Sequence, residues 1–151
     1  MRISKQKYKM SQISVPIKQL YVREFVILSD YIYYSLIFEK EMGELSMLFS
    51  ELSERQIEIF KMIGRLITDM GGRPALNTQI RQIYEIHGTD TIGIDAIEKI
   101  FQNEAEKKRK NIEDFTRILI ISDNNSIDKR VEEIINEEND ILNSFERILK
   151  S

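Results

Sequence analysis

The stretch from Glu24 to Phe38, EFVILSDYIYYSLIF, constrains this chain more than any other, because one acidic residue leads a run that is apolar almost all the way round. A helix with that pattern is buried on most sides and needs other helices to cover it. Leu20, Glu24, Ile27 with Leu28, Tyr31, Ser35 and Phe38 recur at spacings of three and four, which takes Glu24 inside an apolar stripe. Val26, Tyr33 and Ile37 form a second apolar side, covered either by a later segment of the chain or by a second copy of it. Ser14 and Pro16 suit a helix start, since Ser caps free N–H groups and Pro is tolerated in the first turn. The first helix is therefore expected from residue 14 to about Met42. Residues 1–13, with Arg2, Lys5, Lys7 and Lys9, read as a basic N-terminal arm outside a single bundle domain of residues 14–151.

Gly43 breaks the pattern, and a second helix is expected from about Leu45 to Met70. Its stripe is Phe49, Leu52, Gln56, Ile59 with Phe60, Ile63, Leu66 with Ile67, and Met70. Gly71, Gly72 and Pro74 are a strong stop, because Gly supplies the left-handed residue past a helix end and Pro prevents continuation. The connection from Arg73 to Ile94, with Ile80, Ile83, Tyr84 and Ile86, is too long for a hairpin turn and is expected to cross the length of the bundle. Asp95 and Glu98 suit a helix cap. The third helix, to about Ile121, carries Ile97, Phe101, Glu104, Lys108, Ile112, Phe115 and Leu119. Ser122 to Ser126, SDNNS, is a turn of residues that bond their own backbone. The fourth helix carries Ile127, Val131, Ile134 with Ile135, Glu138, Ile141 with Leu142, Phe145, and Ile148 with Leu149.

A chain of 151 residues needs only one core. Its formal net charge of -3 argues against a general nucleic-acid binder, so any DNA association would have to rely on the basic arm. Without Cys there are no disulfides, thiolate metal sites or thiol catalysis. Arg23, Glu24, Asp30, Glu39, Lys40 and Glu41 interrupt or bound the longest apolar run, so neither a signal peptide nor a membrane span is expected and the cytoplasm is the default location.

The interior polar residues Glu24, Gln56, Lys108 and Glu138 fall one per helix, separated by 32, 52 and 30 residues. Di-iron and di-manganese carboxylate bundles place a Glu on each of two helices and a Glu-x-x-His on each of the other two, because hard ions favour carboxylates and the i, i+3 pair puts two ligands on one face. Glu24 followed by Asp30, Tyr31, Ile32 and Tyr33 resembles the first-helix Glu and its downstream Gln-Tyr-x-Tyr in the ferritin-like superfamily, most closely in small bacterial rubrerythrin-like or bacterioferritin-like proteins. Gly64, Arg65, Leu66 and Ile67, then Gly71, Gly72, Arg73 and Pro74, resemble that family's Gly-Lys-Leu-Ile and Gly-Gly-Asp-Pro. Ile112, Glu113, Asp114 and Phe115 resemble its Ile-Glu-Asp-Tyr, and Ile134, Ile135, Glu138, Ile141 and Phe145 its fourth helix.

The resemblance implies six ligand positions, at Glu24, Gln56, Ile59, Lys108, Glu138 and Ile141, of which only Glu24 and Glu138 carry a carboxylate. Four carboxylates without ions would leave about four negative charges in a low-dielectric core. Replacing one by Gln and another by Lys brings the layer to about -1. Lys108 is expected between Glu24 and Glu138, with Gln56 meeting a remaining hydrogen bond and with Ile59 and Ile141 closing the space. No metal, cofactor or catalytic residue is then expected. In the alternative, a shift of register recruits Glu54 and Glu104 as non-standard ligands for iron or manganese in oxidase or peroxide-related chemistry. That shift breaks the glycine match and moves Glu54 off its stripe.

The remaining candidates read as structure. Glu104 by itself suits a salt bridge at the bundle end, His87 beside Gly88 an exposed loop, and Tyr31, Tyr33 and Tyr34 aromatic packing. The run Lys107 to Lys110, apart from Lys108, suits a solvated face. No phosphate cradle, nucleophile elbow or Zn spacing is present. The sequence thus predicts an all-α, ferritin-like four-helix bundle with a long crossover between its second and third helices. It is expected to be a non-catalytic structural or protein-interaction module, dimeric through the outer face of its first helix.

Overall fold

The computed structural model describes the backbone of residues 2–76 and 94–151, and the side chains of residues 12–76 and 96–151. These residues form four α-helices: α1 (Arg2–Ile37), α2 (Gly43–Asp69), α3 (Ile94–Ile121) and α4 (Asn125–Lys150). Both α1 and α4 pack against α2 and α3, which sets α1 and α4 across the core from each other. Glu24 meets Gln56 while Ser35 meets Ser46, so α1 and α2 are antiparallel. Arg23 meets Asp114 while Lys107 meets Asp30, so α1 and α3 are antiparallel as well. The end of α2 and the start of α3 therefore stand at opposite ends of the bundle. Ile80, Ile83, Tyr84, Ile86 and His87 lie outside the described residues, as does the side chain of Asp95. Among the described residues no helix is long and apolar enough to cross a membrane.

Several boundaries differ from the sequence expectation. α1 begins at Arg2 rather than Ser14, and Pro16 lies inside it. Proline in a helix interior removes a backbone hydrogen bond and costs about 3 kcal/mol. Burial of Ile13 (2% exposed), Ile17 and Leu20 on the same face opposes that cost, so Ile13 belongs to the core rather than to an arm. α1 ends at Ile37, and the chain turns through Phe38 N–H to Tyr34 O (3.2 Å) and Met42 N–H to Phe38 O (2.9 Å). Gly43 opens α2 instead of separating two helices.

The stops act as the residue types dictate. Gly71 has φ +86°, and its N–H bonds Thr68 O (3.0 Å) while that of Gly72 bonds Ile67 O (2.9 Å). This pair of bonds closes α2 around a left-handed glycine. Asn124 caps α4, its Oδ1 accepting from the N–H groups of Ser126 (3.0 Å) and Ile127 (3.2 Å).

The core divides in two. Towards the C-terminal end of α1, Tyr31, Phe38, Phe49, Phe101 and Phe145 are buried together, with Phe49 and Phe101 stacked at 5.7 Å. Towards the other end it is mostly aliphatic, with Ile17, Leu20, Ile63, Leu66, Ile118, Ile127 and Val131 buried. A polar layer lies between these halves. On α3 the buried set is Phe101, Glu104, Ala105, Lys108, Asn111, Phe115 and Ile118, while Ile97, Ile112 and Leu119 are only partly buried. That set repeats nearly every seven residues, which keeps one face on the neighbouring helices, whereas successive steps of four drift off it. On α1, Asp30 is buried and Ser35 is not, its Oγ turning back to Ile32 O (2.6 Å). Val26, Tyr33 and Ile37 are half-buried, and among the described side chains of α1 the large apolar residues left exposed are Val15, Ile32 and Leu36.

Candidate functional site: a lysine-centred polar layer

The structure brings Glu24 of α1, Gln56 of α2, Lys108 of α3 and Glu138 of α4 to one level of the bundle, each fully buried. Lys108 Nζ donates to Glu24 Oε2 (3.0 Å), Glu138 Oε1 (3.0 Å) and Gln56 Oε1 (2.5 Å). An ammonium has three N–H groups, and here all three are used. Gln56 Nε2 in turn donates to Glu24 Oε2 and to the Glu24 backbone carbonyl (3.0 Å). The other oxygen of Glu24 accepts from Asn111 Nδ2 (2.9 Å). Ile59 and Ile141, one turn from Gln56 and Glu138, are buried in the apolar core.

Burial opposes the charge of Glu24, but the Lys108 ammonium and hydrogen bonds from Glu138, Gln56 and Lys108 more than offset it and hold its pKa below the ordinary value. Burial and the nearby charge of Glu24 push Glu138 well above the ordinary carboxylate range, against the pull of Lys108. Burial works against the charge of Lys108, yet Glu138 and Glu24 raise its pKa. Lys108 set against the carboxyl groups of Glu24 and Glu138 gives the layer a formal charge of about -1, and the raised pKa of Glu138 works to reduce it. A low-dielectric core tolerates a buried ammonium whose three N–H groups are all bonded, beside a carboxylate bonded at both oxygens.

A second buried cluster adjoins it. Lys107 Nζ donates to Asp30 Oδ2 (2.6 Å) and Glu104 Oε1 (3.1 Å), and both acids are buried. Burial first, then the charge of Asp30, raises the Glu104 pKa well above the ordinary value, with Lys107 opposing. Glu104 therefore sits inside the bundle and not at its end. Lys107 is not on a solvated face, because its side chain is only 32% exposed and reaches inward to the two acids. Glu51 and Glu54, by contrast, are exposed on α2. Among the described residues no group of three or more His, Cys, Asp or Glu side chains is placed to hold a metal ion.

Asn111, Asp30 and Lys107 are the polar-core residues that sequence reasoning missed. Asp30 carried a usable signal, being the other acidic residue within the Glu24–Phe38 run. Asn111 carried none, because the apolar Ile112 beside it fitted the helical spacing better.

No family profile matches the sequence, and a search of curated proteins finds no match. The fold does match solved structures. Desulfovibrio desulfuricans bacterioferritin, a protein with a diiron site, aligns at TM-score 0.76 and 16% identity over 94% of this chain and 80% of that one. A dodecameric thioferritin, the bacterioferritin-related protein of Bacteroides fragilis, aligns at TM-score 0.75 and 14% identity over 93% and 86%. The class is thus all-α, and the architecture is that of a ferritin-like four-helix bundle.

Proposed function

We propose that this chain is a non-catalytic ferritin-like bundle whose central layer is held by a lysine in the place of a di-iron or di-manganese centre, and that it serves as a structural or protein-interaction module. The observation that carries this reading is the position of Lys108 Nζ, bonded at once to Glu24, Gln56 and Glu138. A pair of hard divalent ions calls for several carboxylate and imidazole donors. The six positions supply two carboxyl groups, an amide, an ammonium and two isoleucine side chains, and that donor set does not fit the group. The ammonium also repels a cation from the point where the carboxyl oxygens converge. Elemental analysis of protein purified without chelators tests this. Iron and manganese well below one equivalent per chain are expected, and about two equivalents of either contradict the reading.

For self-association, α1 offers a second copy of the chain the exposed pair Ile32 and Leu36 (62% exposed), one turn apart. On α2, Met47 (66%) is exposed as well, next in sequence to Ser46, whose Oγ bonds Ser35 O (2.6 Å). Exposed apolar side chains of this kind favour a protein contact. Multi-angle light scattering is expected to give a dimer or larger assembly that Leu36→Glu reduces to monomer. A monomeric native chain contradicts the contact.

A further inference from the structure

Three buried oxygens near the central layer receive no hydrogen bond: Tyr31 Oη, Glu104 Oε2 and Glu138 Oε2. Tyr31 is wholly buried. It stands two turns beyond Glu24 on α1, as Phe145 stands two turns beyond Glu138 on α4, and the two rings are 5.9 Å apart. Helical side chains lean towards the N-terminus of their helix, so the Tyr31 hydroxyl leans back towards the layer. Glu104, one turn before Lys108 on the antiparallel α3, lies on that same side. After burial itself, the charges acting most strongly on Tyr31 are those of Glu104 and Glu138. Buried polar atoms are almost always paired, with ordered water where protein partners are absent.

We propose that one ordered water molecule occupies this point, accepting from Tyr31 Oη and donating to Glu104 Oε2 and Glu138 Oε2. Each carboxyl oxygen has two lone pairs, so it can take this bond while a proton on the same group serves Glu24 or Asp30. The water joins the Lys108 and Lys107 clusters into one network that reaches solvent at Lys107. It also gives Tyr31 a role that ring packing does not require, since phenylalanine would fill the same space.

A crystal structure of the full chain fine enough to order internal waters is expected to show one water in hydrogen-bond reach of all three oxygens. A direct bond from Tyr31 to either carboxyl group, an empty gap, or a cation marked by thallium soaking would each overturn the proposal. In solution, Tyr31→Phe is expected to lower by one the number of long-lived internal waters seen by water-oxygen relaxation dispersion, and to lower Tm by about 3 °C. An unchanged count overturns it, as does a raised Tm, which is the result of deleting an unsatisfied hydroxyl. Should the variant not fold, the crystal structure of the native chain decides.

Discussion

Lys108 Nζ on α3 and Glu24 Oε2 on α1 lie 3.0 Å apart, with neither side chain exposed to solvent. Removing one member of a buried pair leaves the other uncompensated, at a cost of about 3–5 kcal/mol. Lys108→Met is expected to destabilise the fold by that amount in urea unfolding. Adding Glu24→Gln to it is expected to recover much of the loss, because no buried charge then lacks a partner. Equal losses in the single and double variants contradict this pairing.

Replacing the other two positions tests the layer from the opposite direction. Gln56→Glu with Lys108→Glu puts four carboxyl groups at one level, and in chelator the double variant is expected to lose several kcal/mol, on the order of 4. Stability at pH 7 equal to that of the native chain would show that the four residues do not share a buried layer.

Asn111 donates to the oxygen of Glu24 that Lys108 does not reach. Asn111→Leu keeps a similar volume and leaves that oxygen without a donor, so a loss of about 1–3 kcal/mol is expected. A variant as stable as the native chain would mean that Glu24 finds another partner.

The pH dependence follows from the two raised carboxyl groups. Glu138 and Glu104 have folded pKa values well above the ordinary 4.5, so the folded chain keeps protons that the unfolded chain has released. Their contribution to stability is fully present below 4.5 and is lost as pH rises through the folded values. Glu24 is lowered and acts in the opposite sense, its contribution being present above 4.5 and lost as pH falls through its folded value. Above 4.5 the contribution of Glu24 is already complete, so the urea midpoint is expected to fall as pH is raised from about 5 to about 8. A midpoint that climbs across that range contradicts the raised pKa values of Glu138 and Glu104.

The four helices were legible because their apolar residues recur at helical spacing between strong stops, as at Gly71, Gly72 and Pro74. Glu24, Gln56, Lys108 and Glu138 were legible because each interrupts such a stripe. Residues whose placement depends on distant partners were not. Lys107 sits in the charge run KKRK, and the buried Asp30, 77 residues earlier, together with Glu104 turns it inward. Glu104 lay on the stripe, but its depth depends on Asp30 and Lys107 meeting it there. The start of α1 was hidden for a different reason: the basic residues before Ile13 resemble a solvated arm, while the burial of Ile13 itself is a tertiary effect.

The central claim is that an ammonium holds the place of metal between Glu24 and Glu138. Crystals soaked in manganese or ferrous iron, with anomalous data collected at the metal edge, test it most directly. The account predicts no anomalous peak inside the bundle, with Lys108 Nζ still bonded to both glutamates. Ordered ions bridging Glu24 and Glu138, with Lys108 swung away, would contradict it.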